Sequence, residues 1–233
     1  MIPIRHTFPR RATPIINRVF VITNITVFAT QLFLGDRAEI MIRTFGYIPA
    51  RLIHPAVWHY SWWEVAITLF TALFLHGGFV HLFGNLLYLW VFGDAVEDAF
   101  GHLRYFCFFL ACGAAGSLLH TIIFPMSLIP SIGASGSIAG VLGAFLVLRP
   151  RARIVTLFPL VVYWAMAEIR ATFFLPVWFL MQFFNGFLSL ASAARTQEVA
   201  GVAWWAHVGG FLFGALFAAI YRVARKKARM RLA

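Results

Sequence analysis

The residues best suited to chemistry are a serine and a histidine that lie inside apolar stretches of the chain. Ser135 stands in the small-residue sequence Gly133-Ala134-Ser135-Gly136, and His207 lies in a later apolar stretch. Polar side chains are costly inside a membrane and usually mark functional positions there. A serine hydroxyl becomes a nucleophile when a neighbouring imidazole takes its proton. The pair therefore indicates nucleophilic catalysis, with Ser135 as nucleophile and His207 as general base.

A third polar site, His81 with Asn85, matches these two residues in depth. Ser135, His207 and His81 stand 14, 15 and 13 residues before the first charged residue that follows each of them. At the helical rise of 1.5 Å per residue, these separations are about 20–22 Å. All three side chains are therefore expected roughly 10 Å below the opposite membrane surface. Asn85, at i+4, falls on the same helix face as His81.

Two pairs of glycines could let the helices that carry Ser135 and His207 pack closely together. Gly136 and Gly140 follow the serine, and Gly210 and Gly214 follow the histidine, each pair at Gly-x-x-x-Gly spacing. This spacing lets membrane helices approach until their backbones touch. The loop ending at Gly133 must carry non-helical backbone into the membrane, which is tolerated only where protein or a water-filled cavity covers it. A hydrolase needs that water.

The composition is that of a polytopic membrane protein. Of the 233 residues, 61% are hydrophobic and 12% are charged, and the mean hydropathy is +0.83. A membrane helix needs about 20 apolar residues, so the apolar runs predict an all-α bundle of six spans. The predicted spans are 15–34, 66–93, 103–124, 135–148, 172–193 and 203–221. The predicted organisation is an N-terminal tail 1–14, one membrane domain 15–222 and a basic C-terminal tail 223–233.

The basic residues predict the orientation of this bundle. The formal net charge is +11, and with six spans fifteen of the 19 Lys and Arg residues fall on the side that holds both termini. Positive charge collects in cytoplasmic loops, so we expect cytoplasmic termini, contacts with anionic membrane lipids and no nucleic-acid partner. A seventh span at 154–169 would reverse the C-terminal side, so we expect that segment to be interfacial or partly re-entrant. The linker 35–65, with its clustered tryptophans, also suits the interface.

The three polar sites, taken in order, resemble the motifs of the rhomboid intramembrane proteases. The resemblance covers about residues 15 to 222 and implies a six-helix bundle in which Ser135 attacks the scissile carbonyl and His207 takes its proton. No carboxylate is expected behind the histidine. The matching motifs are His81-x-x-x-Asn85 in the second span, Gly133-Ala134-Ser135-Gly136 opening the fourth, and Ala206-His207-x-x-Gly210-x-x-x-Gly214 in the sixth.

The resemblance also implies supporting roles. The oxyanion hole would be formed by His81, Asn85 and the backbone N–H of Ser135. His76 matches a family histidine that holds the loop before the second span, and Gly93-x-x-x-Glu97 matches a loop-fixing contact at the other end of that span. Both of these last features are expected to be structural and not catalytic.

Two features of the sequence leave the resemblance incomplete. Some family members carry an aromatic residue four positions after the serine, against the catalytic histidine, whereas this chain has Ala139 there. The support of the His207 ring must then come from elsewhere. The family is thought to admit substrate beside the fifth span, but an aromatic stripe is also typical of a packing surface, so both interpretations stay open. The stripe consists of Phe173, Phe174, Trp178, Phe179, Phe183 and Phe184.

The expected substrates are transmembrane proteins, cut near the outer face at a small residue in a stretch that unwinds easily. The expected location is a bacterial inner membrane. No cofactor and no metal are expected, because the sequence has no His-Glu-x-x-His. A non-catalytic rhomboid-like binder is a rival hypothesis, as is a transporter, which would show inverted repeats or paired intramembrane charges. The physiological substrate and the oligomeric state stay open.

Overall fold

The computed structural model describes residues 1–9, 12–159, 164–196 and 202–230. These residues form nine α-helices and three β-strands. The helices are α1 (Ile15–Leu34), α2 (Ala38–Phe45), α3 (Pro49–Ile53), α4 (Trp62–Thr71), α5 (Phe79–Phe100), α6 (His102–Ile123), α7 (Ser135–Leu148), α8 (Ala171–Thr196) and α9 (Trp204–Met230). The strands are β1 (Ile2–His6), β2 (Arg153–Pro159) and β3 (Trp164–Arg170).

Five of the described helices are long and apolar enough to cross a membrane. They belong to α1, α5, α6, α8 and α9, and the bundle confirms the predicted class of polytopic helical membrane protein. Helix α7 covers the 14 residues predicted for the fourth span. At 1.5 Å per residue it is about 21 Å long, shorter than a hydrocarbon layer of about 30 Å. One of its ends therefore lies inside the bundle.

The predicted second span, 66–93, is wrong in its boundaries. The chain instead forms α4, a 3₁₀ turn over Ala72–Phe74 and a short extended segment before α5 begins at Phe79. Gly78, just before α5, has a φ of 153°, a conformation that suits glycine and interrupts a helix. Helix α5 then ends at Phe100, beyond the predicted end. The apolar residues at 66–75 therefore belong to the linker region and not to the span.

Helix α7 lies at the centre of the bundle, against α5, α6 and α9. Its residues from 136 to 145 are all buried. Glycine makes its contact with α9 possible, because a methyl group on Gly210 would overlap the carbonyl oxygen of Gly136. A methyl group on Gly214 would likewise overlap the carbonyl oxygen of Gly140. The structure thus brings the two predicted glycine pairs together and holds the start of α9 beside the start of α7.

The segment 154–169 is a β-hairpin and not a seventh span. Strands β2 and β3 pair antiparallel from Arg153 with Arg170 to Pro159 with Trp164, while residues 160–163 lie outside the described residues. The run Ile154-Val155-Thr156 is β-branched throughout, which favours a strand. Periodicity alone could not separate this apolar run from a helix.

Strand β1 extends the hairpin into a three-stranded sheet with the order β1-β2-β3. Its residues fall within the predicted N-terminal tail, but β1 pairs antiparallel with β2 from Ile2 with Leu157 to His6 with Ile154. His6 Nε2 also lies 2.9 Å from the carboxylate of Asp94 in α5. The sheet is therefore attached directly to the end of the helix bundle.

Residues of α5, α9 and the segment after α7 contact one another at this same end of the bundle. Tyr221 in α9 donates a hydrogen bond to the carbonyl of Ala99 at 3.0 Å, and Arg149 after α7 contacts Asp98 at 3.2 Å. Helix α9 continues to Met230, so the described part of the predicted C-terminal tail is helical. Three of the fifteen basic residues predicted on the side of the termini, Arg10, Arg11 and Arg231, lie outside the described residues.

The linker between α1 and α5 contains α2, α3 and α4. Its residues Trp62 and Trp63 are 63% and 66% exposed, as suits residues at a membrane interface. Tyr47 Oη lies 2.5 Å from Thr121 Oγ1 and fixes the linker to α6. At the start of α4, the hydroxyl and backbone N–H of Ser61 donate to Glu64, and these hydrogen bonds lower the pKa of that carboxyl.

Candidate active site

The four polar residues singled out in the sequence line one cavity of about 950 Å³. Ser135, His207, His81 and Asn85 reach it from α7, α9 and α5, and residues of α6 and α8 complete the wall. A water molecule occupies about 30 Å³ of liquid, so the space holds many waters as well as a segment of peptide. The agreement in depth predicted from residue counts corresponds to a shared site in three dimensions.

The serine and the histidine are in hydrogen-bonding contact. His207 Nε2 lies 2.8 Å from Ser135 Oγ. Ser135 is the first residue of α7, and His207 lies in the first turn of α9, one turn before the contact between Gly210 and Gly136. This geometry allows the imidazole to take the hydroxyl proton.

The His207 ring is supported by α8 and by its own helix. These contacts take the place of the aromatic residue that some family members carry at the position of Ala139. Its Nδ1 lies 2.8 Å from Gln182 Oε1, and its ring centroid lies 6.2 Å from Trp178 and 5.9 Å from Trp204. Gln182 is not among the site residues predicted from the sequence. It is a polar residue within the fifth apolar span, so the rule that selected the other polar positions would also have selected it.

His81 presents an N–H to the cavity, and its surroundings fix which nitrogen carries the proton. Its Nδ1 accepts a hydrogen bond from the backbone N–H of Gly77 at 3.3 Å. A neutral imidazole has one donor and one acceptor nitrogen, so Nε2 carries the hydrogen. A methyl group on Gly133, two residues before the serine, would lie 2.6 Å from this Nε2 and 3.3 Å from Asn85 Nδ2. Both nitrogens therefore lie close to the backbone that leads into Ser135.

Asn85 is oriented by His76. The carbonyl of Phe74, 3.2 Å from His76 Nδ1, can only accept, so Nδ1 carries the hydrogen and Nε2 accepts from Asn85 Nδ2 at 2.9 Å. The other amide hydrogen of Asn85 stays available. Gln31 of α1 holds the backbone of His76 by two hydrogen bonds, of 2.9 and 3.0 Å. His76 thus contacts the loop backbone through the carbonyl of Phe74 and also orients a cavity residue.

The same polar residues lie within a recognised protein domain. The rhomboid domain family matches residues 59–224, which is more than half of the chain. This range includes all of the cavity residues named in the preceding paragraphs and their hydrogen-bond partners, except Gln31. The chain belongs to the rhomboid family. The matched region begins in the linker, so β1 and helices α1 to α3 lie before it.

Curated relatives carry rhomboid names as well. The chain is 44% identical over 86 residues to rhomboid protease GluP of Bacillus subtilis, covering 37% of this chain and 16% of that protein. It is 31% identical over 175 residues to Rhomboid protein 1, mitochondrial, of Saccharomyces cerevisiae, covering 71% and 44%. It is 26% identical over 167 residues to RHOMBOID-like protein 6, mitochondrial, of Arabidopsis thaliana, covering 61% and 54%. The chain thus spans about half or less of the length of these relatives.

Glu97, the other rhomboid feature singled out in the sequence, lies away from the cavity. Its buried carboxylate accepts the backbone N–H groups of Ile16 at 2.9 Å and Asn17 at 2.8 Å, and a hydrogen bond from His102 Nδ1 at 2.5 Å. It was predicted to fix a loop, and in the structure it caps the first turn of α1. Gly93 leaves room for the Asn17 side chain, which a methyl group there would overlap.

The aromatic stripe of α8 divides between two faces. Phe174 is buried. The half-buried Trp178 packs beside the cavity against Tyr88 of α5, with the two ring centroids 6.2 Å apart. Phe173 and Phe184 are exposed, as suits lipid contact. Among the described residues, no group of three or more His, Cys, Asp or Glu side chains could hold a metal ion.

Proposed function

We propose that this rhomboid is an intramembrane serine endopeptidase that cleaves transmembrane segments through a dyad of Ser135 and His207. The observation that carries the proposal is the distance of 2.8 Å between Ser135 Oγ and His207 Nε2 inside a cavity wide enough for peptide and water. Relatives named as rhomboid proteases support the same assignment.

In the first half of the reaction, Ser135 Oγ attacks the carbonyl carbon of the scissile peptide bond. His207 Nε2 takes the hydroxyl proton as the C–O bond forms, and then gives that proton to the nitrogen of the leaving amine as the C–N bond breaks. The products of this half are an acyl ester on Ser135 and a free amine. A positioned general base of this kind contributes typically about 10² to 10⁴-fold in rate.

The negative oxygen of the tetrahedral intermediate needs donors that are already in place. The tautomers inferred from these hydrogen bonds support three: the Nε2–H of His81, the second amide N–H of Asn85 and the backbone N–H of Ser135. The last belongs to the first turn of α7, where N–H groups have no partner within the helix and the helix dipole favours an anion. Gly133 brings the backbone close to the two side chains.

In the second half, a water molecule attacks the ester carbonyl while His207 Nε2 takes one of its protons. The proton then passes to Ser135 Oγ as the ester bond breaks, which releases the new carboxylate and restores the serine. The cavity supplies the water that an apolar bilayer would otherwise exclude.

The substrate is proposed to be a transmembrane protein cut near the outer face, because the cavity lies at the end of α7 opposite Arg149. Basic residues of α9, including Arg222 and Arg225, lie at the other end, with the start of α1. Since basic residues collect in the cytoplasm, we place both termini there, in contact with anionic lipids. A bacterial inner membrane is the proposed location.

The test is cleavage in reconstituted vesicles. Purified protein is incubated with a generic single-pass membrane substrate beside the Ser135→Ala and His207→Ala variants, and the fragments are analysed by mass spectrometry. We expect one cut within the transmembrane segment, none detectable for Ser135→Ala and at least a 10²-fold loss for His207→Ala. Fluorophosphonate should label Ser135 only while His207 is present. Uptake of substrate into a complex without any cut would instead favour a non-catalytic binder.

A further inference from the structure

We propose that Gln182 is a positioning residue that sets the tautomer of His207, so that its Nε2 is free to accept the Ser135 proton. This inference rests on the proposed function for its catalytic consequence. Its structural part, the tautomer of one imidazole, is independent of any activity. Gln182 Oε1 lies 2.8 Å from His207 Nδ1, and both side chains are buried.

The direction of the hydrogen bonds follows from a backbone carbonyl that can only accept. Gln182 Nε2 lies 3.4 Å from the carbonyl oxygen of Trp178, one turn earlier in α8. If the amide were flipped, its oxygen would face that carbonyl oxygen without a hydrogen between them. Nε2 of Gln182 therefore donates to Trp178, and Oε1 faces His207.

An amide oxygen facing Nδ1 requires a hydrogen on that nitrogen. A neutral imidazole carries one hydrogen, so the Nε2 of His207 then has a lone pair directed at Ser135 Oγ, 2.8 Å away. In the opposite tautomer, an N–H would point at the serine and could not take its proton. Gln182 thus selects the productive form before substrate arrives.

The amide also suits the step in which His207 becomes charged. A cationic imidazole donates from both nitrogens, and the bond from Nδ1 to the amide oxygen strengthens when its donor carries charge. A carboxylate at this place would do the same but would have to be buried as an anion, which is expensive inside a membrane. A neutral acceptor avoids that cost.

The position of Gln182 on α8 links the base to a second helix. His207 belongs to α9, and its contacts with Gln182 and Trp178 are both made by α8. A donor–acceptor distance of about 3.6 Å is no longer a hydrogen bond, so an outward shift of α8 by about 1 Å releases His207 from its acceptor. The base is therefore held in its productive form only while α8 packs against α9.

The deciding experiment is ¹⁵N NMR of histidine-labelled protein in micelles, with the His207 signals assigned by their loss in His207→Ala. Wild type should show the hydrogen on Nδ1. Gln182→Met, similar in size but without an acceptor, should show a large fraction with the hydrogen on Nε2. Leu180→Met, an exposed neighbour on the same helix, should match wild type.

Kinetics provide the second readout. We expect Gln182→Met to lower kcat about 10- to 100-fold with little change in KM, and Leu180→Met to leave both constants near wild type. If Gln182→Met does not fold, Gln182→Asn keeps the amide but withdraws it by one methylene and should show the same tautomer change. A wild-type imidazole spectrum in folded Gln182→Met or in folded Gln182→Asn overturns the proposal, even if the chain proves to be a protease. A changed spectrum in a chain that cuts nothing supports the tautomer assignment and rejects the function.

Discussion

The buried carboxylate of Glu97 provides the sharpest test of how the bundle is held together. Glu97→Gln preserves its shape but replaces two acceptor oxygens by one, while three donors converge on it from Ile16, Asn17 and His102. At least one donor then faces an amide N–H, and an unsatisfied buried group costs about 1–3 kcal/mol. The two remaining bonds lose their charged acceptor and weaken by about 1 kcal/mol each. The expected loss is about 3–5 kcal/mol, a large part of a typical stability of about 5–15 kcal/mol.

The measurement is unfolding in mixed micelles, titrated with SDS and followed by tryptophan fluorescence. The matched control is Glu39→Gln, which makes the same chemical change in an exposed pair with Arg43. Such a surface pair contributes at most about 1 kcal/mol. If Glu97→Gln unfolds at the same midpoint as Glu39→Gln, the carboxylate does not stabilise the start of α1 and the reasoning is refuted.

Three further predictions follow from contacts described above. Asn85→Ala should lower kcat about 10²- to 10³-fold while KM stays near wild type, because it removes a proposed oxyanion donor; an unchanged kcat would remove Asn85 from the oxyanion hole. Gly210→Ala should lower the free energy of unfolding by about 1–3 kcal/mol, since its methyl group overlaps the carbonyl of Gly136, whereas Gly84→Ala, with open space around it, should not destabilise. Because the folded-state pKa of Glu64 is lowered, its hydrogen bonds stabilise α4 above the pKa that Glu64 has in the unfolded chain and are lost as pH falls through the folded-state value. The protection factors of the amides at the start of α4, corrected for the intrinsic pH dependence of exchange, should then fall in acid and stay constant in Glu64→Gln.

The position of the site could be predicted from the sequence because a membrane makes polarity rare. Ser135, His81 and His207 were identified as isolated polar residues, and the fixed rise of a helix converted their places in the chain into a common depth. Glycine spacing then indicated which helices touch. Gln182 obeys the same rule, but the predicted site does not include it, and its partner His207 is 25 residues away in the chain.

Other parts of the fold could not be predicted because they depend on contacts between distant residues. The break before α5 rests on Gly78 and on the two hydrogen bonds between the side chain of Gln31 and the backbone of His76, which are 45 residues apart. The hairpin at 154–169 has the same apolar character as a short helix, and only its pairing reveals strands. Likewise, the sequence around residues 2–6 does not indicate that they pair with β2.

The register of β1 on β2 has a consequence for how the chain is made. Ile2 pairs with Leu157, so the first strand leaves the ribosome some 155 residues before its partner. At about 5–20 residues per second this delay is roughly 8–30 s, during which α1, α5, α6 and α7 must insert. The two strands lie on the same side of the membrane only if the chain between them crosses the bilayer an even number of times. If one of these helices fails to enter the bilayer, β1 and β2 end on opposite sides and cannot pair. Closure of the sheet therefore distinguishes a correctly inserted nascent chain from one that lacks a crossing.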